Sequence, residues 1–220
     1  MSVLDENVRY DMRKIVARYP QSRSALLPML HLCQSIEGYV SPEGVAICAE
    51  ELGITVAEVG AVATFYTMYK RRPIGDYHVG VCTNTLCAVL GGDTIFAELK
   101  AHLGVGNDET TPDGKVTLEH IECNAACDYA PVMTVNWEFF DNQTPSSAKE
   151  LVDGLRAGNP PAPTRGAGPV CTWKEASRVL AGFYDGRADE GPAAGPESLL
   201  GLRYAKQRGE AAPAMPDGRI

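Results

Sequence analysis

Residues 77–87 have the sequence Tyr-His-Val-Gly-Val-Cys-Thr-Asn-Thr-Leu-Cys, and residues 116–127 have the sequence Val-Thr-Leu-Glu-His-Ile-Glu-Cys-Asn-Ala-Ala-Cys. Each stretch begins with an apolar, β-branched segment typical of a strand and continues into a polar segment that holds two cysteines. Further strands are predicted over 132–137 and from 139, and helices over 92–103 and 146–155. This order of elements predicts an α/β sandwich in which both cysteine pairs leave the sheet at strand ends.

The four cysteines of these two stretches are the candidate metal ligands. Cys82 and Cys87 are separated by four residues, and Cys123 and Cys127 by three. Loops at one edge of a sheet can bring four thiolates together, which suits a [2Fe–2S] cluster or a tetrahedral zinc ion. The wide spacing favours iron–sulfur, because structural zinc sites usually have tighter two-residue knuckles. Zinc stays open at this point. Disulfides are disfavoured by a reducing compartment, and idle buried thiols are disfavoured by the polar residues of the two loops.

Composition excludes several function classes. The chain has 220 residues, 45% of them hydrophobic and 22% charged, with a net charge of -8. Such an acidic chain lacks the basic surface that nucleic acids and anionic lipids require. No apolar run approaches the roughly 18 residues of a membrane span. Residues 1–10 resemble neither a secretory signal nor a transit peptide, so we expect a reducing compartment, where clustered cysteines usually bind metal.

Residues 1–72 are predicted to form a small helical bundle. Apolar residues recur at helical spacing over 8–16 and 24–38. Ser41 followed by Pro42 begins a third helix that ends at Gly53, and a Thr55–Glu58 capping box begins a fourth that continues to about Met68. Cys33 and Cys48 fall on apolar helix faces, where core packing is the expected role.

Residues 158–220 are predicted to be a largely irregular tail, because proline and glycine are abundant there. One segment, at about 171–184, carries Trp173, Val179, Leu180 and Phe183 at helical spacing. It is either an inert linker or, as we slightly prefer, a docking helix that folds on a partner. Cys171 is expected to be a bystander.

Three strings resemble a known family when they are taken together. They are Ala-Thr-Phe-Tyr-Thr-Met at 63–68, His-Val-Gly-Val-Cys-Thr-Asn-Thr-Leu-Cys at 78–87, and Glu-Cys-Asn-Ala-Ala-Cys-Asp-Tyr-Ala-Pro-Val at 122–132. Over about residues 8–157 the chain is similar to the E subunit family of bacterial NADH–quinone oxidoreductase, which is the 24-kDa component of respiratory complex I. Between Cys123 and Cys127 many relatives have Leu-Gly-Ala, whereas this chain has Asn-Ala-Ala, which replaces no ligand.

The resemblance implies a thioredoxin-like [2Fe–2S] ferredoxin domain over 73–157, after the helical bundle. It implies one [2Fe–2S] cluster held by Cys82, Cys87, Cys123 and Cys127. It also implies an electron-transfer subunit of an oxidoreductase. In that assembly FMN and NADH would be bound by a partner, the F subunit, through which the chain would also contact the G subunit. The expected location is the peripheral arm at the cytoplasmic face of the bacterial inner membrane, without membrane insertion.

Two further functions remain as alternatives. The chain could be the equivalent diaphorase subunit of an NAD-linked hydrogenase or formate dehydrogenase, which share this module by resemblance. In a different class, it could be a zinc-stabilised four-cysteine interaction module. A free-standing ferredoxin is disfavoured, because a carrier needs no helical bundle. The sequence has no glycine-rich phosphate motif and no candidate catalytic residue of its own.

The charges near the cysteines predict a low reduction potential. Glu122, Asp93 and Asp128 lie close to the ligands in sequence, and neither cysteine loop contains a lysine or arginine. Reduction adds negative charge, which neighbouring carboxylates oppose.

Two local features remain open in the sequence. The peptide bond before Pro131 is either cis or trans. The aromatic residues Phe65, Tyr66, Tyr69 and Tyr77 form either a partner-facing patch or part of the core. The four histidines are scattered, and we expect structural or surface roles for them.

Overall fold

The computed structural model describes residues 4–166, 168–186 and 194–213. The helices are α1 Glu6–Val16, α2 Leu26–Glu37, α3 Pro42–Leu52, α4 Val56–Phe65, α5 Thr85–Val89, α6 Gly92–Leu103, α7 Pro145–Arg156, α8 Trp173–Leu180 and α9 Leu200–Gln207. The strands are β1 Tyr77–Cys82, β2 Glu109–Thr110, β3 Val116–Ile121, β4 Met133–Val135 and β5 Glu138–Phe140. Short 3-10 turns at Ser22–Ala25 and Cys127–Tyr129 complete the regular structure.

The ends of the bundle helices follow from local capping. The Ser41 hydroxyl accepts a hydrogen bond from the Gly44 N–H at the start of α3, and Gly53 ends this helix with a φ of 64°. The side chains of Thr55 and Glu58 form a complete capping box at the start of α4. Both predicted starts are confirmed, because these bonds involve only residues within one turn of each other.

Helices α1 to α4 enclose one apolar core. Its fully buried side chains include Met12, Ile15, Met29, Leu30 and Leu32. None of these helices is long enough to be stable alone in water, so this shared core supplies most of their stability.

The second part of the molecule is a five-stranded sheet with the order β2-β3-β1-β4-β5. Strands β1 and β3 are parallel, with Tyr77 opposite Val116 and Cys82 opposite Ile121, and the other pairs are antiparallel. Because β1 and β3 are parallel and in register, both end at the same edge of the sheet. This edge is where the two cysteine loops begin.

The two faces of the sheet have different partners. Helices α6 and α7 pack on the face that carries Val79, Val81 and Leu118, and their apolar side chains complete a second core. Strand alternation turns His78 and Glu119 to the opposite face. There His78 contacts the rings of Trp137 and Trp173 at 5.1 and 5.5 Å between centroids.

Helix α4 is shorter than the sequence predicted, since it ends at Phe65 rather than near Met68. The aromatic residues that follow separate into two groups. The side chains of Phe65 and Tyr66 are exposed, whereas Tyr69 and Tyr77 are buried. Phe65 and Tyr66 therefore lie on the surface, whereas Tyr69 and Tyr77 belong to the interior.

Helix α8 lies within residues 171–184, where the sequence predicted either a linker or a docking helix. It packs against α2 of the bundle, and its first residue, Trp173, is 1% exposed. The Trp173 indole N–H donates a hydrogen bond of 2.8 Å to the carbonyl of Gly38. Gln34 of α2, also buried, donates a 3.3 Å hydrogen bond to the Ser177 hydroxyl.

Trp173 on this helix is thus covered by the chain itself, whereas Leu180 is 40% exposed. Docking of the segment 171–184 on a partner stays a prediction. Ala181 and Phe183, which follow α8, pack in the bundle core, although they come after the predicted boundary at residue 157.

Residues 194–213 contain α9, and none of the residues of this helix is buried. Among the residues that the structure describes, no helix combines the length and apolar character needed to cross a membrane.

Candidate metal centre

The first cysteine pair lies where β1 meets α5. Cys82 is the last residue of β1 and is fixed by its backbone N–H, which donates to the Val132 carbonyl at 3.0 Å. Cys87 lies within α5, which begins where the Asn84 side chain accepts a hydrogen bond from the Thr85 N–H. The sequence predicted a loop for residues 82–87. The structure corrects this, because the Asn84 cap starts a helical turn that directs Cys87 inward.

Close packing beneath this pair requires Gly92. A Cβ at this position would lie 2.9 Å from the Cys87 carbonyl oxygen and would also overlap the Cys82 carbonyl oxygen. A hydrogen atom in place of a side chain therefore lets the start of α6 approach both cysteine backbones.

The second cysteine pair lies on a sharply bent loop after β3. Asn124 and Ala125 have φ values of 49° and 65°, in the left-handed region that residues with a Cβ rarely adopt. The Ala126 N–H donates to the Cys123 carbonyl at 3.0 Å and closes the turn. The Cys123 and Cys127 sulfur atoms are 3.7 Å apart. The loop ends at a cis Ala130–Pro131 peptide bond, which answers the question left open by the sequence.

The two loops bring their sulfur atoms together at the sheet edge. The Sγ atoms of Cys82, Cys87 and Cys123 lie within 4.8 Å of one another, and all three residues are buried. Cys127 is exposed and adjoins this group through Cys123. The convergence follows from the parallel register of β1 and β3, which places the residues after Cys82 beside those after Ile121.

The donor set fits a metal with tetrahedral sulfur coordination. Metal–sulfur bonds of about 2.3 Å at the tetrahedral angle place two sulfur atoms about 3.8 Å apart. The 3.7 Å separation of the Cys123 and Cys127 sulfur atoms matches that value. The three converging sulfur atoms and the exposed Cys127 thus form a group of donors that fits the four-thiolate ligand set of one [2Fe–2S] cluster.

Burial changes the ionisation of these thiols. It raises the pKa of Cys87 and Cys123 above the usual range for a thiol. Without a metal these side chains therefore stay protonated at neutral pH. A metal ion reverses this preference because it binds the thiolate and displaces its proton.

One cation reaches this region from a distant part of the chain. The Arg165 guanidinium lies 4.4 Å from the Phe139 ring centroid and 5.0 Å from that of Tyr129. Both rings pack against the buried cysteine group. This arginine is far from the cysteines in sequence, so it is not among the charges that predicted a low reduction potential.

Behind the sheet lies a buried polar network that the sequence did not reveal. His78 is fully buried, and its Nε2 lies 2.5 Å from the Glu119 carboxylate, which also pairs with Lys70. Burial lowers the pKa of His78. Burial alone would raise the pKa of Glu119, but hydrogen bonds from His78 and Lys70 lower it to about 2. The carboxylate therefore stays ionised and the network joins the sheet to the residues after α4.

The remaining candidate residues lie apart from the cysteine group. The Cys33 and Cys48 sulfur atoms are 3.9 Å apart in the bundle core. Cys171 lies just before α8. Burial lowers the pKa of His31 to about 4. His102 pairs with Asp153 on the surface, and His120 lies near the Phe96 ring.

Comparisons with known proteins agree with this geometry. Residues 12–156 match the family described as thioredoxin-like [2Fe–2S] ferredoxin. The E subunit of NADH-quinone oxidoreductase from Mycobacterium tuberculosis is 63% identical over 207 residues, which cover 94% of this chain and 82% of that protein. NADH-quinone oxidoreductase subunit 2 of Thermus thermophilus is 37% identical over 150 residues, which cover 67% of this chain and 83% of that protein.

A solved structure shares the fold. An NAD+-reducing [NiFe]-hydrogenase superposes with a TM-score of 0.55 at 19% identity, over 61% of this chain and 23% of the hydrogenase chain. This likeness concerns the fold alone. The extent of the family match and the mycobacterial and Thermus relatives show that the chain belongs to the thioredoxin-like [2Fe–2S] ferredoxin family, together with the E subunits of NADH–quinone oxidoreductase.

Proposed function

We propose that this chain is the electron-transfer subunit of the NADH dehydrogenase module of a proton-pumping NADH–quinone oxidoreductase. The observation that carries the proposal is the group of cysteine sulfur atoms at the edge where β1 and β3 end. Membership of the family supports it, and so does the mycobacterial relative, which is named as an E subunit. The chain works as part of an oxidoreductase and has no NADH site of its own in this proposal.

The ligands in this proposal are Cys82, Cys87, Cys123 and Cys127. A [2Fe–2S] cluster bound there would supply reversible one-electron storage. The chain's own residues hold the ligands at fixed positions: the Val132 carbonyl fixes Cys82, and the turn at Asn124 and Ala125 fixes Cys123. Burial of three sulfur atoms excludes water from that side, and exposed Cys127 marks the side open to an electron-transfer partner.

The partners in this proposal are the F subunit, which would carry FMN and bind NADH, and through it the G subunit. Flavin accepts two electrons as a hydride and can pass them on singly, so a one-electron acceptor beside it can hold one electron of the pair. The corresponding location is the peripheral arm at the cytoplasmic face of the bacterial inner membrane.

One alternative has an observation in its favour. An NAD-linked hydrogenase or formate dehydrogenase would use the same module, and an NAD+-reducing hydrogenase shares the fold. Purification of the intact native assembly distinguishes the two, since its other subunits would belong either to a quinone reductase or to a hydrogenase or dehydrogenase.

The decisive experiment measures iron, zinc and acid-labile sulfide per chain in anaerobically purified protein. We expect iron and sulfide in the ratio of one [2Fe–2S] cluster, and an EPR signal that appears only after reduction with dithionite. Zinc without acid-labile sulfide would overturn the electron-transfer function and would indicate a zinc-stabilised interaction module.

A further inference from the structure

The C-terminal extension returns to the cysteine region at two separate places. The extension lies beyond residues 12–156, where the family match ends. Its first contact is with β5, where the Thr164 N–H donates to the Phe139 carbonyl at 2.9 Å and Arg165 forms an antiparallel bridge with Phe139. Its second contact, at residues 195–198, is with the loop that holds Cys127.

The first contact places a positive charge over two aromatic rings, and these rings pack against the buried cluster that contains Cys82, Cys87 and Cys123. The Arg165 side chain is 14% exposed and lies over the rings of Phe139 and Tyr129. Its Nη2 donates a 2.9 Å hydrogen bond to Asp141, whose carboxylate also accepts one from the Thr164 hydroxyl. Since these groups are largely removed from water, their charges are screened less than those of a surface pair.

The second contact fixes both residues that follow Cys127. The Tyr129 hydroxyl donates a hydrogen bond of 2.7 Å to the Glu197 carboxylate, and the Ser198 hydroxyl donates one to Asp128. Gly195 packs so closely on the Tyr129 hydroxyl that a Cβ at this position would overlap it. Tyr129 is therefore held on its ring face by Arg165 and at its hydroxyl by residues 195–198.

We propose that the C-terminal extension clamps the second cysteine loop through Tyr129, and that Arg165 is a positioning residue that raises the reduction potential of the cluster. Reduction adds a negative charge at the cysteine group, and a nearby cation stabilises the reduced form. The Asp141 carboxylate offsets part of this effect. The inference rests on the proposed function, because it requires a redox-active cluster at these cysteines.

The test of the charge is a redox titration of the full chain followed by EPR. Arg165→Gln removes the charge and should lower the midpoint potential, whereas Arg165→Lys keeps the charge and should shift it less. The matched control is Arg156→Gln. Arg156 also pairs with an aspartate at 2.8 Å, but it belongs to α7 and contacts Asp113 rather than the cysteine region. The midpoint potential of the Arg156→Gln variant should equal that of the wild type.

A second variant covers the case in which Arg165→Gln does not retain its cluster. Asp141→Asn leaves Arg165 in place without its partner carboxylate, so the midpoint potential should rise. Unchanged potentials in variants that retain the cluster would overturn the role of Arg165. A wild-type chain that holds zinc or no cluster would instead refute the proposed function, so the two failures are distinguishable.

The test of the clamp is the rate at which a ferrous chelator removes iron from the protein. Tyr129→Phe keeps the ring beneath Arg165 and removes only the hydroxyl that binds Glu197. We expect iron release to be roughly threefold to tenfold faster, which corresponds to the loss of one hydrogen bond. The control Tyr184→Phe changes a tyrosine that is 78% exposed and should leave the rate unchanged. Equal rates in Tyr129→Phe and the wild type would refute the clamp.

Discussion

The molecule contains two groups of adjacent thiols that differ in almost everything except their spacing. The Cys33 and Cys48 sulfur atoms are 3.9 Å apart, and those of Cys123 and Cys127 are 3.7 Å apart. The first pair joins two helices in an apolar core and has no third cysteine nearby among the described residues. The second pair lies on a bent loop at a sheet edge, where Cys82 and Cys87 complete a group of four.

A short distance between two sulfur atoms therefore does not by itself identify a metal site. Cys33 also packs against Gly44, whose missing side chain leaves room for its sulfur atom. The hydrogen bond with Cys48 raises the pKa of Cys33, and burial raises it further. This thiol therefore stays neutral. The functional pair is distinguished by its converging neighbours, its strained loop and its one exposed member.

The strongest test of this comparison exchanges one cysteine in each group. Cys123→Ser removes a buried ligand and should cost more than the about 10- to 100-fold in metal affinity that loss of an outer-shell partner costs. Most of the iron should therefore be absent after purification. Cys48→Ser should keep the iron of the wild type, although it places a hydroxyl in the bundle core. Equal iron contents in the two variants would contradict the distinction.

The next largest effect is a loss of stability when Trp173 is replaced. Trp173 is the largest fully buried side chain, and Trp173→Ala should lower the free energy of unfolding by about 3–5 kcal/mol. Denaturant unfolding followed by circular dichroism measures this change. Tyr184→Ala, at an exposed site of the same segment, should cost less than about 0.5 kcal/mol. Similar losses in both variants would mean that the contacts of Trp173 with Gly38 and His78 contribute little to stability.

The third effect is a dependence of bundle stability on pH, which comes from a buried histidine rather than from the cysteines. Burial lowers the pKa of His31 from 6.5 to about 4. Below pH 6.5 the unfolded chain binds a proton that the folded chain does not, so the free energy of unfolding falls as the pH drops from 6.5 to 4. The contribution of this one residue is about 3 kcal/mol over that interval.

Replacing the histidine should remove that contribution. His31→Gln should lose less stability than the wild type between pH 7 and pH 4.5 in denaturant titrations, while His120→Gln, at an exposed site, should follow the wild type. His78 contributes in the same direction in all three proteins and cancels from the comparison. Parallel pH profiles for wild type and His31→Gln would show that His31 is not the group responsible.

The sequence predicted those features that depend on neighbours in the chain. Ser41 and Thr55 cap their helices through bonds that span three residues, and helix α6 ends at Leu103, as expected. The meeting of the two cysteine loops was also predictable, because strands of matching pattern on either side of a helix pair in parallel. The four candidate ligands follow from those strand ends.

The features that the sequence did not reveal depend on contacts between distant residues. Trp173 binds Gly38 across 135 positions, and no local pattern names the partner of an amphipathic segment. Arg165 approaches the cysteine region only because residue 164 pairs with β5. Helix α5 was missed because Asn84 as a helix cap is hard to distinguish from Asn84 in a loop.

The packing of α8 on α2 also sets an order of events during synthesis. Residues 6–65 emerge from the ribosome first, but their core lacks Ala181 and Phe183 until α8 and the residues after it follow. At about 5–20 residues per second, this takes on the order of 5 to 20 seconds. All four candidate ligands are synthesised within that interval, since Cys127 precedes Trp173. The nascent bundle thus lacks part of its core until the cysteine-bearing domain has been made.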